Sequence, residues 1–223
     1  MTELLVFWLL IALAAAISTY NANVWHDPIS MWSRASWSTS GDSSRAFGEL
    51  GAYSKLKGDN GAAKTYLMES IRLNPKFGPA MNNYAWILFQ DGQREDAWEQ
   101  MRVCQERCPD YAQGWHDFGL MSENLGKADL AAECYRKALA IEPQQNKSLN
   151  RLGLVAFHRR DFGEAVASFE QLVERVPNQI EYTYNRAVTW KHMGKVKEGQ
   201  NELARLPQPC PITGDMIPVE FAR

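Results

Sequence analysis

Residues 112–143, AQGWHDFGLMSENLGKADLAAECYRKALAIEP, read as two amphipathic helices joined by a turn at Gly126. Gly119 and Ala131 are small residues placed where the two helices would cross, and small side chains at a crossing let helix axes approach closely. Pro143 ends the second helix, because proline has no N–H to donate inside a helix. The large side chains that would fill the space between helices are Trp115, Phe118 and Tyr135. One such pair cannot bury its own apolar faces, so the stretch predicts neighbouring copies of itself.

The same pattern recurs along the chain with a period of 34 residues. Prolines that end the second helix of each copy fall at Pro75, Pro109, Pro143 and Pro177, and Pro211 keeps the phase. Small residues at the crossing position of the second helix are Ala63, Ala97, Ala131 and Ala165. Turn glycines stand at Gly58, Gly92, Gly126 and Gly194, with Arg160 in the fourth copy. Several features with one period indicate a tandem repeat.

These residues and their spacing resemble the tetratricopeptide repeat (TPR) family over residues 44–211. The resemblance implies an all-α, right-handed solenoid of about five helix–turn–helix repeats. The repeats would span residues 44–77, 78–111, 112–145, 146–179 and 180–211. A tail at residues 212–223 carries enough apolar side chains to dock, and we expect it to cap the end of the solenoid.

Composition excludes several classes of function. The formal net charge is −2 and no block of lysine and arginine occurs, which argues against nucleic-acid binding. The four histidines and four cysteines lack metal-ligand spacing, and there is no phosphate-binding glycine loop or nucleophile elbow. We therefore expect no catalytic, cofactor-binding or metal-binding residue, and a protein that is not an enzyme. Whether disulfides form among Cys104, Cys108, Cys134 and Cys210 is left open.

The N-terminus contains an uncharged apolar segment at residues 4–20. It has the core length of a signal peptide, but no lysine or arginine precedes it. It is slightly short for a membrane-spanning helix of about 20 residues, yet Tyr20 and Trp25 suit an interface. A buried soluble helix is the third interpretation. We favour a transmembrane anchor at residues 1–20, which would give an N-terminal hydrophobic helix, followed by an aromatic connector and N-terminal cap at residues 21–43.

This layout is similar to the C-terminal part of transmembrane-and-TPR O-mannosyltransferases, in which repeats follow the last membrane span. The similarity covers only residues 4–75, and the catalytic half of those enzymes has no counterpart in this chain. It implies a single-pass membrane protein whose repeats lie outside the cytoplasm, in a periplasm or a lumen. No catalytic residue is carried over.

In the TPR family, the first helix of each repeat lines a concave surface, and the same phase selects partner-binding candidates here. These candidates are Asn82, Trp86, Phe89, His116, Lys147, Asn150, Arg151, Phe157 and Tyr184. Four are bulky for a solvated face, namely Trp86, Phe89, Phe157 and Tyr184. Two interpretations remain open: these rings form the apolar floor of a peptide groove edged by Lys147 and Arg151, or they pack between helices.

One TPR variant binds a C-terminal carboxylate through lysine, two asparagines, lysine and arginine. Lys147 and Arg151 match its last two positions, whereas Asn82, Trp86 and Asp117 depart from it. Asp117 would repel a carboxylate and is expected to pair with Arg151 instead. The sequence therefore argues against a receptor for chaperone tails.

The sequence as a whole predicts a non-catalytic, membrane-anchored scaffold or adaptor that binds a protein or peptide of unknown identity through its concave TPR groove. The alternative is a fixed structural or accessory subunit of a larger membrane complex, with a sugar-transfer system as one example.

Overall fold

The computed structural model describes Trp32, residues 43–207 and residues 215–218. Between residues 43 and 207 it contains ten α-helices and no strand. The helices are α1 (Ser43–Leu56), α2 (Asn60–Leu73), α3 (Gly78–Gln90), α4 (Arg94–Arg107), α5 (Ala112–Asn124), α6 (Ala128–Ile141), α7 (Asn146–His158), α8 (Phe162–Arg175), α9 (Ile180–His192) and α10 (Val196–Leu203). The prediction of an all-α chain built from helix pairs is confirmed for this range.

The helices divide between two compact units, which separate between Cys108 and Pro109. The first unit contains α1–α4, in which α1 pairs with α2 and α3 pairs with α4. Helix α3 also contacts both α1 and α2, so the second pair packs on the first. The fully buried core of this unit includes Ala63, Leu67, Ala80 and Ile87.

The second unit contains α5–α10 as three successive pairs, α5 with α6, α7 with α8, and α9 with α10. Contacts of α6 with α7 and of α8 with α9 join the pairs, and the first helices α7 and α9 also touch each other. An apolar cluster between the last two pairs includes Leu149, Leu154, Phe169 and Val188. Neighbouring pairs therefore bury the apolar faces that one pair alone would expose.

Each turn between paired helices contains one residue with positive φ. Gly126 has φ 70°, and the N–H of Lys127 then bonds the carbonyl of Ser122 at 2.9 Å. This six-to-one bond is the mark of a Schellman C-cap, in which glycine is favoured because it has no Cβ. Four glycines occupy the position as predicted, and Arg160 adopts φ 62° in the remaining turn. The prolines also act as predicted, since α6 ends at Ile141, two residues before Pro143.

The predicted helix crossing is confirmed at Gly119. A Cβ on Gly119 would lie 2.5 Å from Cε1 of Tyr135, whose side chain is fully buried. Gly153 stands in the same relation to Phe169, at 2.7 Å. Ala131 is also completely buried. Small residues at the crossings therefore make room for large rings from the second helix.

Trp115 differs from its expected role as an interior residue. Its side chain is only partly buried, its Nε1 donates to the carbonyl of Pro109 at 2.8 Å, and Lys137 lies over its ring at 4.4 Å from the centroid. The indole N–H needs an acceptor, and the nearby carbonyl supplies one at the surface. Trp115 thus fastens the start of α5 instead of filling the core.

The predicted anchor and nearly all of the aromatic connector lie outside the described residues. Among the helices that the structure describes, none combines the length and the apolar character needed to cross a membrane. The anchor and the limits of the sequence-derived domains remain predictions.

Candidate functional site

The first helices of the second unit line a polar depression. We call it the inner groove and define it by side chains from α5, α7, the start of α9 and one residue of the tail. The residues that line it are His116, Leu120, Lys147, Asn150, Arg151, Gln179, Glu181, Tyr182 and Asp215. They enclose a cavity of about 230 Å³. Four of the predicted partner-binding residues, His116, Lys147, Asn150 and Arg151, therefore come together in one place.

Residues 215–218 of the chain lie against this groove, and Asn185 of α9 binds their backbone. The Asn185 side-chain Nδ2 donates to the carbonyl of Asp215 at 2.9 Å, while its Oδ1 accepts the N–H of Ile217 at 2.8 Å. Asn150 also donates to the Asp215 carbonyl, at 3.3 Å. Asn185 is fully buried, so these bonds satisfy a side-chain amide that would otherwise be costly to bury.

Two apolar side chains of the same segment enter the protein core. Met216 is 5% exposed and Ile217 is completely buried. Both belong to the apolar cluster that contains Leu154, Phe157 and Val188. The segment is therefore held by its backbone on one side and by two apolar side chains on the other. Whether the tail at residues 212–223 caps the end of the solenoid stays a prediction.

Charged groups lie along the rim of the inner groove. An Arg151 guanidinium nitrogen lies 3.1 Å from Asp215 Oδ1, and its other terminal nitrogen lies 3.7 Å from Glu123. The Asp215 side chain is 59% exposed, so the pair with Arg151 contributes modestly. Lys147 donates to Gln113 and is exposed. The sequence predicts that Asp117 pairs with Arg151. In the structure, Asp117 accepts a hydrogen bond from the side-chain amide of Gln113 at 2.8 Å.

His116 is a buried, neutral member of the groove wall. Its Nδ1 lies 2.9 Å from Ser148 Oγ, and Ser148 in turn donates to Gln145. Burial lowers the pKa of His116 to about 4. The positive charges of Lys147 and Arg151 also lower this pKa, whereas the carboxylates of Asp117 and Asp215 raise it. Ser148 is completely buried, so the serine–histidine contact is part of the interior hydrogen bonding and not an accessible nucleophile.

The described residues also bear on metal binding and on the reactivity of the cysteines. Between residues 43 and 207 and at 215–218, no group of three histidine, cysteine or carboxylate side chains could hold a metal ion. Cys104 and Cys134 are buried thiols, and burial raises the pKa of Cys134 to about 12. A thiol with so high a pKa is a poor nucleophile at neutral pH.

Phe157 and Tyr184 do not form the floor of an open groove. Their side chains are 4% and 5% exposed, and both lie in the apolar cluster that includes Met216 and Ile217. The helical phase correctly predicts that they face inward, but neighbouring helices and residues 216–217 enclose them. Whether either residue contributes to partner binding remains a prediction.

The other predicted rings belong to the first unit. On α3, Trp86 and Phe89 are partly buried and meet edge to face with centroids 5.6 Å apart. Asn82 is 5% exposed. These two rings therefore remain accessible in part, and their role in binding stays a prediction.

Sequence reasoning missed Asn185 and Asp215. Asn185 follows Tyr184 directly on the inner side of α9, but its partner Asp215 lies 30 residues further along the chain. The available signal was a polar amide on the otherwise buried face of a first helix, because such a group requires a hydrogen-bond partner.

Comparison with known families agrees with the helix-pair architecture. Residues 88–206, more than half of the chain, match the model of the "Cilia and flagella-associated protein 70 middle TPR-like domain". Residues 44–77 match the tetratricopeptide repeat model. The chain belongs to this TPR-like family.

The chain spans only a small part of the length of the curated relatives that it matches. The TPR chain is 26% identical over 136 residues to the "Anaphase-promoting complex subunit cut9" of Schizosaccharomyces pombe, covering 59% of this chain and 20% of that protein. It is 31% identical over 112 residues to the mouse (Mus musculus) "N-alpha-acetyltransferase 16, NatA auxiliary subunit", covering 49% of this chain and 13% of that one. The crystal structure of MamA protein matches 72% of this chain and 88% of its own, with a TM-score of 0.63 and 16% identity, which shows the fold alone.

Proposed function

We propose that this TPR chain is a non-catalytic scaffold or adaptor that binds a short segment of a partner protein along the inner groove and beside Asn185. The observation that carries the proposal is the pair of hydrogen bonds between Asn185 and the backbone, one donated to the Asp215 carbonyl and one accepted from the Ile217 N–H. A buried amide that donates to one carbonyl and accepts from an N–H two residues later can bind the main chain of a short peptide segment. Such binding does not depend on the identity of the side chains it spans.

The rim adds selectivity for charge. Lys147 and Arg151 stand beside the groove, and Arg151 already contacts a carboxylate there. Complementary charge speeds association and fixes register more than it adds affinity. We therefore expect the partner segment to carry an acidic residue.

Charge reversal at the rim tests this proposal. The full chain, isolated from its native source with its partner, is compared with Lys147→Glu and with Lys197→Glu. Lys147 lines the inner groove, whereas Lys197 is an exposed residue near the start of α10 and serves as the matched control. We expect the first change to reduce the amount of co-isolated partner about two- to fivefold, and the second to leave it unchanged. Equal retention by both variants would exclude the inner groove as the contact.

We also propose that residues 4–20 anchor the chain in a membrane, with the repeats on the extracytoplasmic side. The support is the uncharged apolar composition of that segment and the aromatic residues that follow it. Deletion of residues 1–24 should move the protein from the membrane fraction to the soluble fraction. A mature protein that is already soluble and begins at Ile17 would favour a signal peptide.

A second candidate function is that of a fixed subunit of a larger complex, including an accessory subunit of a membrane sugar-transfer system. The relatives favour it, because two of them are named as subunits of multiprotein assemblies. A chain that requires detergent or a partner throughout purification would support this alternative. A monomer stable by itself would support the adaptor.

A further inference from the structure

Residues 215–218 are bound in the way that a peptide ligand would be bound. Their backbone occupies the Asn185 amide, Asp215 meets Arg151 at 3.1 Å, and Met216 and Ile217 enter the apolar cluster. Each of these contacts is made to α7 or α9 or to their apolar cluster. The occupant thus combines a short backbone segment with a turn at Asp215 and a bend at Met216, one acidic residue and two apolar residues that follow it.

We propose that this segment is an intramolecular competitor, and that the partner of the inner groove carries the same chemistry, an acidic residue followed directly by two apolar residues. The inference rests on the proposed function and specifies its ligand. Binding of the partner displaces Asp215, Met216 and Ile217 from α7 and α9. The chain therefore regulates its own groove.

The chemistry of the contacts determines which features the partner must share. The bonds from Asn185 go to main-chain atoms and accept any residue type. The apolar cluster excludes charged residues at the two following positions, since an unpaired charge there would be costly to bury. Arg151 favours a carboxylate at the first position, and because that carboxylate is largely exposed, its selectivity is modest.

Tethering explains why such a segment competes well. A segment joined to its own groove by a short connection acts at an effective concentration in the millimolar range, without any gain in contacts. If it occupies the groove more than nine-tenths of the time, the apparent affinity for a partner falls by a factor of ten or more. Release of the segment should restore that affinity.

The first experiment uses the unaltered full chain. Hydrogen exchange of the Ile217 amide is followed with and without a synthetic peptide of residues 212–220, ITGDMIPVE. Because Asn185 protects this amide, we expect it to exchange through a local opening, much faster than the core amides of α7. Added peptide should accelerate its exchange further and leave the α7 amides unchanged. Exchange of Ile217 only at the rate of global unfolding, unaffected by peptide, would make the segment a permanent part of the core and overturn the proposal.

The second experiment measures peptide affinity in full-length variants. Met216→Ser combined with Ile217→Ser should release the segment, and Pro218→Ser, at an exposed neighbouring position, is the matched control. We expect the labelled peptide to bind the released variant at least about tenfold more tightly than the wild type or the control. A peptide with lysine in place of the aspartate should bind the released variant about two- to fivefold more weakly.

The outcomes separate this inference from the function on which it rests. A released variant that still melts cooperatively and binds no peptide contradicts the competitor. If that variant no longer melts cooperatively, the exchange experiment on the wild type decides. Partner binding that depends on Lys147 but is not increased by release of residues 215–218 would retain the proposed function and reject the competitor. Partner binding independent of Lys147 would reject the function itself.

Discussion

At the scale of single residues, the turn at Arg160 departs from the repeat pattern with a measurable consequence. Arg160 adopts φ 62°, a conformation that glycine takes at the four equivalent turns. The left-handed region costs a residue with a Cβ about 1–2 kcal/mol, which the greater entropy loss of glycine partly offsets. We expect Arg160→Gly to raise the free energy of unfolding by about 0.5–1 kcal/mol, measured by denaturant titration.

The reciprocal change provides the control. A Cβ at Gly126, φ 70°, would meet no atom within 4 Å, so Gly126→Arg tests backbone conformation without a steric clash. It should lower the free energy of unfolding by about 1 kcal/mol. If both substitutions shift stability in the same direction, conformational strain is not the cause.

His116 makes stability depend on pH in a defined window. Burial lowers its pKa from 6.5 to about 4, so below pH 6.5 the unfolded chain takes up a proton that the folded chain does not. Stability is therefore intact above pH 6.5 and falls as the pH drops toward 4, by about 3 kcal/mol from this group.

The measurement compares wild type with His116→Gln between pH 7 and 4. The variant lacks the imidazole and should show a flatter decline, while carboxylates contribute equally to both profiles. Parallel profiles for the two proteins would show that His116 does not titrate between the folded and unfolded states in this way.

At the scale of helices, the crossing of α5 and α6 depends on the absence of one methyl group. Gly119→Ala would place a Cβ 2.5 Å from the ring of Tyr135, which is fully buried and bonded to Glu123, so the ring has little freedom to move. We expect a loss of about 1–3 kcal/mol in unfolding free energy, as in other overpacked sites.

Gly163→Ala is the matched control for this prediction. Gly163 lies exposed near the start of α8, and a Cβ there would have its nearest neighbour at 3.7 Å, an ordinary contact. Alanine favours helix, so this change should be neutral or stabilising by up to about 1 kcal/mol. A crossing that tolerated alanine as well as Gly163 does would contradict the packing described for α5 and α6.

Helix pairs were predictable from sequence because their determinants are local. Pro143 marks the end of α6, Gly126 marks the turn, and Gly119 with Tyr135 marks the crossing, all within one 34-residue period. Trp115 was misplaced because size alone suggests burial, whereas its indole N–H found an acceptor at the surface in Pro109.

At the scale of the whole molecule, the second unit's groove was only partly predictable. Lys147, Asn150 and Arg151 follow from the helical phase, which tells which side of α7 faces inward. The helical phase does not predict which other segment of the chain covers that side of α7. The burial of Phe157 and Tyr184 together with residues 216–217 joins chain segments about 30 to 60 residues apart, and no local pattern encodes such a contact.

The role of Asn185 was not predictable from the sequence for the same reason. A lone asparagine on a helix is common, and its significance appears only when both of its amide atoms find the backbone of residues 215–217. The proposed function accordingly depends on a tertiary contact added to a regular repeat.

The most direct test of the central claim, that partners bind in the inner groove, is site-specific photo-crosslinking of the full chain in its native setting. In one variant, a photoreactive phenylalanine derivative replaces Tyr182, which lines the inner groove. In the other, it replaces Glu174, an exposed residue of α8, which is the second helix of its pair. We expect position 182 to crosslink to a partner and position 174 not to, and we expect Lys147→Glu to diminish the crosslink from position 182. Crosslinking from position 174 alone, or from position 182 at a level unaffected by Lys147→Glu, would contradict the claim.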